Sequence, residues 1–552
     1  MTTATPEARK ISALSVVAMT TAAGLSRGAT LLSQVIVGLF LTEREVGTYA
    51  VAVGITGFTC MLRGGGASHY LPTFRSDEYD SGIGRVFWWG FWFRLLAGIL
   101  TLGAALAIPS LDLADPPPQL SAVLGVFAIG QILFAFSIVG RIRMAVRQRF
   151  TDLARLDVAN AVFRVSATAV LAWSGAGALA LVIPIAMAPA VELVYFIANG
   201  TMRAIDYRWP KGVLRETASI MLWPALVSVL ISLNSQSNFL IVKPMLALAS
   251  MGVFYFAYQI ASQPLLAIAS PLTNILATYF AAERGERERE ARAMVSVASG
   301  SVLFSSIFCF AIIALFPSVE RLLWSGKWSE ATLPVFALAG AGCWATAVGI
   351  LSPALAGLRR FRAMAWFEAL KCLGLFGGAA LGASLLVLDQ RGMLPFSEPL
   401  RDLASALADK SANLSGSGSG SAFESHDSTV VGISTGIAVA LVSIGQIAWL
   451  LRNHGARTAS VLRVLVQGPL VSALAAILSV AVATLLTKAL VFELPALAGR
   501  TLALVEAAST GVLYLACAAA ILRFLAAGAL REAIGLLPQR PRSLAMKVLR
   551  LA

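Results

Sequence analysis

Long apolar stretches separated by short polar segments recur along almost the whole chain of 552 residues. A helix that crosses a membrane needs about 20 predominantly apolar residues. Stretches of this length, or nearly so, lie at 14–41, 46–62, 86–108, 119–140, 156–174, 177–199, 218–242, 249–279, 293–316, 331–357, 363–388, 429–451, 464–487 and 500–524. The pattern predicts an all-α polytopic membrane protein with about 14 transmembrane helices, and little chain is left for a separate soluble domain.

The composition supports this class of protein. Hydrophobic residues make up 58% of the chain and charged residues 13%, whereas soluble domains average about 45–50% and about 25%. A large soluble enzyme is therefore excluded. The five cysteines lie in apolar stretches and form neither a CxxC pair nor a Cys/His cluster, so we expect no disulfide framework, no metal site and no cofactor.

The basic charge is distributed as the topology of a membrane protein requires. The net charge is +14, from 43 Lys and Arg against 29 Asp and Glu, an excess that on a soluble protein would suggest a nucleic-acid partner. If the N-terminus is cytoplasmic and the loops alternate, 30 cations fall on the cytoplasmic side and nine on the other side. This positive-inside bias predicts that both termini are cytoplasmic, and it removes the argument for nucleic acid.

The chain also shows a faint internal repeat. Gly47–Ala52 opens the second predicted helix, and the similar Gly252–Ala257 opens the eighth. Internal duplication is common in secondary transporters. We therefore predict an N-terminal lobe at 1–216, a C-terminal lobe at 217–452 and two further helices with a basic tail at 453–552. The long connection at 389–428 begins as a possible surface helix and ends in a Ser/Gly run, which is typical of a flexible tether.

Four stretches carry a resemblance to a known family: Gly24–Ala50, the basic run Arg141–Arg164, Ser235–Ala281 with its polar helix end, and Leu322–Ala331. Their order and spacing resemble polysaccharide transporters of the Wzx type, in the multidrug/oligosaccharidyl-lipid/polysaccharide exporter superfamily. The resemblance covers most of 11–387.

The resemblance implies a flippase for undecaprenyl-diphosphate-linked oligosaccharides in the bacterial cytoplasmic (inner) membrane, with two six-helix lobes around a central cationic cavity. Its partners would be that lipid-linked glycan, the membrane lipids and, as a further candidate, a polysaccharide polymerase or export machinery. Many relatives carry an acidic residue near the end of the seventh helix, where this chain has Asn234–Asn238. The resemblance therefore does not assign an ion-coupling site to this segment.

Arginines inside the predicted spans are the first candidates for binding the diphosphate. A charge near the bilayer centre costs about 2.5–3.5 kcal/mol on insertion scales, and the planar guanidinium matches phosphate oxygens. Arg27 leads, because steps of three and four residues place it on one helix face with Thr20, Gly24, Thr30, Gln34 and Gly38. Arg164 follows. Arg94 can bind substrate or extend toward the cytoplasmic surface.

The remaining candidates are polar or acidic. The amides predicted to line the cavity, or alternatively to bond between helices, are Gln34, Asn160, Asn234, Asn238, Gln259, Gln263 and Asn274. Glu192, Glu368, Lys371 and Glu506 are coupling or structural charges. Glu368 and Lys371 are three residues apart and can neutralise each other, whereas Glu192 and Glu506 can carry a coupling proton or form ion pairs.

Two rival functions are weaker on this sequence. A drug exporter of the same superfamily would favour carboxylates in the first lobe, where only Glu192 lies beside three arginines. A membrane glycosyltransferase, ligase or polymerase would need a long outer loop with catalytic residues, and the one long loop is Ser/Gly-rich with a single His426. We predict a transporter that works by alternating access and is not an enzyme.

Overall fold

The computed structural model describes residues 13–59, 76–110, 117, 119–146, 149–200, 214–236, 239, 246–263, 276, 280, 287–358, 360–390, 425–493 and 500–525. Within these ranges the regular structure is entirely helical, and each predicted span overlaps one described helix. The helices are α1 (Ala13–Phe40), α2 (Glu43–Thr59), α3 (Ser76–Ala107), α4 (Leu120–Val146), α5 (Phe150–Trp173), α6 (Leu179–Ala198), α7 (Leu214–Gln236), α8 (Leu248–Ala261), α9 (Arg287–Trp324), α10 (Thr332–Gly357), α11 (Phe361–Gln390), α12 (Ser425–Asn453), α13 (Thr458–Glu493) and α14 (Arg500–Leu525). The predicted all-α class is confirmed, while most of the predicted tether lies outside the described residues.

The helices have the length and surface that a bilayer requires. Ten helices in the described part of the chain are long and apolar enough to cross a membrane, and shorter apolar stretches lie in α1, α7 and α8. A helix satisfies its backbone hydrogen bonds internally, which the hydrocarbon layer demands. Large apolar side chains are exposed along α13 and α14, among them Leu470, Ile477 and Leu515. The protein is therefore a multi-pass membrane protein.

The helices group into two compact units. The first contains residues 1–40 and 58–232, and the second contains residues 41–57 and 233–552. In the first unit α1 packs along α5, while α4 packs against α3 and α6. In the second unit α12 packs on α10 and α11, and α9 contacts α10, α13 and α14. The lobes predicted at 1–216, 217–452 and 453–552 remain a prediction.

The two copies of the internal repeat contact each other in the second unit. A Cβ atom on Gly47 in α2 would lie 2.0 Å from the carbonyl oxygen of Leu248, and one on Gly252 in α8 would lie 2.0 Å from the carbonyl oxygen of Glu43. The rings of Tyr49 and Tyr255 meet edge to face, with centroids 5.6 Å apart. Glycine is required at both positions because only its missing side chain lets the helix starts approach so closely.

The connection between α9 and α10 contacts the N-terminal parts of both α2 and α8. Lys327 Nζ donates a 2.5 Å hydrogen bond to the carbonyl oxygen of Leu41, just before α2. The fully buried Trp328 stacks on Phe256 of α8, with ring centroids 4.2 Å apart. The Trp328 backbone N–H donates to Glu320 Oε1 at 2.8 Å. The sequence feature Leu322–Ala331 therefore has a structural role, as a clamp on α2 and α8.

Replacing Lys327 with methionine is expected to loosen this clamp. Burial lowers the pKa of the Lys327 ammonium below its usual value, against the opposing influence of the Glu43 and Glu45 charges. The substitution removes the hydrogen bond to Leu41. Hydrogen bonds to charged groups contribute about 1.5–3 kcal/mol. Thermal unfolding in detergent should show a lower midpoint for Lys327→Met, with Lys488→Met, at an exposed position, as control. Equal midpoints for the two variants would contradict the clamp.

Candidate functional site

Helix α5 has two opposite faces of different character. Val162, Val170 and Trp173 are exposed on one side. Steps of 100° per residue place Asn160, Arg164 and Thr168 together on the other side. Asn160 and Thr168 are buried there, whereas Arg164 between them is exposed. An exposed guanidinium on the side of a membrane helix that faces away from the apolar stripe needs water or an anion.

The polar stripe of α1 also faces away from the exposed apolar side chains. Leu25, Leu32 and Leu39 are exposed along one side, while the half-buried Thr30 and Gln34 lie on the other. Thr30 Oγ1 donates to the backbone carbonyl of Ser26 at 3.0 Å, so this threonine is satisfied within its own helix. The side chain of Arg27 lies outside the described part of the structure.

Arg94 is buried inside the first unit. Its side chain is 5% exposed, and its guanidinium carbon lies 4.2 Å from the ring centroid of Phe134 on α4. This is a cation–π contact. Of the two alternatives for Arg94, this burial argues against extension of the side chain to the cytoplasmic surface. Because its guanidinium is enclosed by protein, we leave Arg94 outside the proposed site.

A charged cluster joins α4, α5 and α6. Arg141 Nη1 donates to Asp157 Oδ1 at 2.8 Å, and its Nη2 donates to Glu192 Oε1 at 2.6 Å. Asn160 Nδ2 donates to the same Glu192 oxygen at 2.6 Å. The structure thus brings together Asn160 and Glu192, which the sequence nominated separately. It also places Glu192 in an ion pair with Arg141. An ion pair is one of the two alternatives that the sequence allowed for Glu192, and a coupling proton is the other.

Arg141 is the residue that the sequence reasoning missed. The alternating topology places Arg141 among the 30 cytoplasmic cations, in a loop after a span that ends at 140, but α4 continues to Val146 and contains Arg141. The available signal was its position at the start of the basic run Arg141–Arg164. A count of cations for topology does not separate a loop arginine from one that turns back to pair with neighbouring helices.

The other predicted charges form ion pairs in the second unit. Lys371 Nζ lies 2.7 Å from Glu368 Oε1, which also accepts a 3.2 Å hydrogen bond from Ser352 Oγ. Arg321 Nη2 lies 2.7 Å from Glu506 Oε2. Both carboxylates therefore have a local structural role, and the geometry favours the pairing alternatives that the sequence allowed.

The structure describes only some of the amide side chains that were predicted to line the cavity. Gln259 Nε2 donates to the Tyr255 hydroxyl at 2.6 Å, and Gln263 Nε2 donates to the Gln259 carbonyl at 2.9 Å. Each amide nitrogen thus donates to a group within 248–263, and the role of both residues in sugar binding stays a prediction. Asn234 is half-buried at the end of α7. Asn238 and Asn274 lie outside the described residues.

Comparisons with known proteins identify the family. The model of the family described as "Polysaccharide biosynthesis protein" matches residues 36–333, and no curated protein matches. A solved structure of the lipid II flippase MurJ in an inward-closed conformation is similar in fold, with a TM-score of 0.61 and 11% identity, covering 92% of this chain and 100% of that one. An inward-facing multidrug-resistance MATE transporter of the MOP superfamily gives a TM-score of 0.49 and 14% identity, covering 80% and 100%. Because its model matches more than half of the sequence, the chain belongs to the polysaccharide biosynthesis protein family.

Proposed function

We propose that this protein is a flippase that moves undecaprenyl-diphosphate-linked oligosaccharides across the bacterial cytoplasmic membrane by alternating access, for the synthesis of O-antigen, capsule or exopolysaccharide. Family membership supports a role in polysaccharide biosynthesis, and the fold is that of a multi-pass membrane protein. One observation carries the substrate chemistry, namely the exposed Arg164 on the side of α5 opposite its apolar stripe.

The chemistry of the headgroup explains why an arginine belongs at this position. A diphosphate that enters the membrane loses hydration, which is expensive unless other groups replace the water. The guanidinium of Arg164 offers a planar set of donors that matches two phosphate oxygens. Arg27 is the second candidate, since its helix packs along α5. Both arginines would bind the headgroup while the polyprenyl chain stays in lipid.

The membrane potential gives the proposed direction of transport a driving force. A potential that is negative inside favours the outward movement of negative charge. For two charges and 100 mV, this amounts to about 4.6 kcal/mol. In the same proposal both termini are cytoplasmic, the protein performs no covalent chemistry, and a polysaccharide polymerase or export machinery uses the product outside.

Replacing Arg164 with alanine is expected to reduce flipping at least about tenfold, because a hydrogen bond to a charged group contributes about 1.5–3 kcal/mol. The assay follows an undecaprenyl-diphosphate-linked oligosaccharide in proteoliposomes that contain the full-length protein. Arg164→Lys should retain part of the activity, since it keeps the charge but loses the planar fork. The matched control is Arg155→Ala, because Arg155 is exposed on the apolar-stripe side of the same helix.

Two results would overturn the proposal. The first is equal flipping by Arg164→Ala and Arg155→Ala at equal protein level. The second is a deletion strain, without a redundant flippase, in which no lipid-linked oligosaccharide accumulates on the cytoplasmic face. None of the ion pairs among the described residues involves Arg164. Arg164→Ala therefore removes no ion pair that stabilises the fold, and the two variants can be compared by their flipping activity.

A further inference from the structure

Helices α11 and α12 form an antiparallel pair, and close contacts fix how they lie along each other. A Cβ atom on Gly374 of α11 would lie 2.9 Å from Val442 Cγ2 of α12. Nearer the start of α11, Gln446 Nε2 donates a 2.7 Å hydrogen bond to the Phe367 carbonyl oxygen. The ring of Phe367 also meets that of Trp449, with centroids 5.5 Å apart. The start of α11 and the end of α12 therefore lie level with each other, at the same membrane surface.

Both helices of this pair have one face on α10. On α11, Glu368 accepts a hydrogen bond from Ser352 of α10. On α12, a Cβ atom on Gly436 would lie 2.7 Å from a backbone carbonyl oxygen of α10. Steps of 100° per residue place Trp366 about 160° from Glu368, and Arg452 about 160° from Gly436. Trp366 and Arg452 therefore lie on the same face of the pair, the one directed away from α10.

We call this face the α11–α12 surface; it is formed by Arg362, Trp366, Trp449 and Arg452. The side chains of Trp366 and Trp449 are 62% and 49% exposed. The exposed Arg362 precedes Trp366 by one turn, and the exposed Arg452 follows Trp449 by one turn. A rise of 1.5 Å per residue puts the arginines about 4.5–6 Å beyond the tryptophans, toward the helix ends. On the other side of the tryptophans, toward the middle of the helices, lie the exposed Leu370, Leu373 and Leu441.

The α11–α12 surface carries positive charge without a nearby exposed carboxylate on its own helices. Residues 361–375 and 441–457 contain a single acidic residue, Glu368, and it is buried and paired with Lys371. Arg360, at the same end, lies 3.3 Å from Glu290. Arg452 differs, because it takes part in none of the ion pairs among the described residues. The surface therefore offers a guanidinium to an anion from outside the chain.

We propose that the α11–α12 surface binds an anionic phospholipid, of the phosphatidylglycerol type, at the membrane surface where α11 begins and α12 ends. The guanidinium groups match the phosphate oxygens. The tryptophans lie at the level of the glycerol and ester groups, where amphipathic rings concentrate in membranes. The acyl chains lie along Leu370, Leu373 and Leu441. This order of charge, ring and apolar surface fits a lipid rather than a free phosphate ion, and it does not depend on the proposed transport function.

The first test measures lipid binding to the full-length protein by native mass spectrometry. Phosphatidylglycerol and phosphatidylcholine with the same acyl chains are added in equal amounts, and the wild type should retain phosphatidylglycerol preferentially. Arg452→Ala should bind phosphatidylglycerol about fivefold more weakly, since each arginine near a lipid surface contributes about this factor. The control is Arg155→Ala, which removes a 77% exposed arginine on α5 and should bind as the wild type does.

The second test measures whether the bound lipid stabilises the protein. A ligand that binds only the folded state raises the thermal midpoint, so phosphatidylglycerol should raise it more in the wild type and Arg155→Ala than in Arg452→Ala. Inorganic phosphate should not raise it. Equal retention of the two phospholipids, or equal weakening in Arg452→Ala and Arg155→Ala, would overturn the proposal. So would stabilisation by inorganic phosphate alone, or a dimer of this chain that forms without lipid and excludes phosphatidylglycerol.

Discussion

Replacing Gly252 with alanine is expected to lower the stability of the second unit by about 3 kcal/mol, at the upper end of the usual range for overpacked positions. The added Cβ would lie 2.0 Å from the Glu43 carbonyl oxygen and 3.0 Å from the Gly47 nitrogen. Both are backbone atoms, so they cannot move aside as the end of a flexible side chain can. Thermal unfolding in detergent and the yield of monodisperse protein would measure the loss.

The matched control for this substitution is Gly340→Ala in α10 of the same unit. A Cβ at Gly340 meets nothing within 4 Å, and alanine favours a helix over glycine by about 1 kcal/mol. We expect Gly340→Ala to be neutral or slightly stabilising, and Gly47→Ala to behave like Gly252→Ala. Wild-type stability in Gly252→Ala would show that α2 and α8 do not approach as closely as described.

Replacing Lys371 with methionine is expected to destabilise the protein by about 3–5 kcal/mol, because it leaves a buried carboxylate without its counterion. The side chains of Glu368 and Lys371 are 4% and 15% exposed. Among the described residues, only the Ser352 hydroxyl at 3.2 Å would still donate to Glu368. The shift in thermal midpoint in detergent would show the effect.

The double variant Glu368→Gln with Lys371→Met should recover most of this stability, since removing both charges of a buried pair is often nearly neutral. Arg149→Met provides the comparison at an exposed pair, where Arg149 lies 2.7 Å from Asp152 and exposed pairs contribute at most about 1 kcal/mol. A loss in Lys371→Met no larger than in Arg149→Met would argue against the buried pair.

Most of the fold could be predicted because the bilayer acts on every helix separately. Each span must be apolar and long enough by itself, so periods of hydropathy along the chain locate it without knowledge of its neighbours. The end of a helix is less constrained: α4 continues past the predicted residue 140 to Val146, and α9 runs from Arg287 to Trp324 rather than from 293 to 316. Charged ends can extend beyond the hydrocarbon layer, so the apolar pattern does not limit them.

The candidate site could be predicted only in part. Arg164 and Asn160 were nominated because steps of three and four residues give the face of a single helix. The partner of each charge was not accessible in this way. Arg94 lies on Phe134, Glu192 pairs with Arg141, and Glu506 pairs with Arg321, and none of these partners lies on the same helix. A pattern within one helix cannot show which residue of another helix is the partner of a given charge.

The sequence by itself determined the helical class, the number and approximate positions of the spans, and the resemblance that the family match confirms. These properties depend on local hydropathy and on the order of short motifs. Only the tertiary structure decided that the two copies of the repeat meet at Gly47 and Gly252, and which charges are neutralised. The reason is distance along the chain, since Arg141 and Glu192 are 51 residues apart and Arg321 and Glu506 are 185 apart. Only the packing of helices brings such residues within hydrogen-bonding distance.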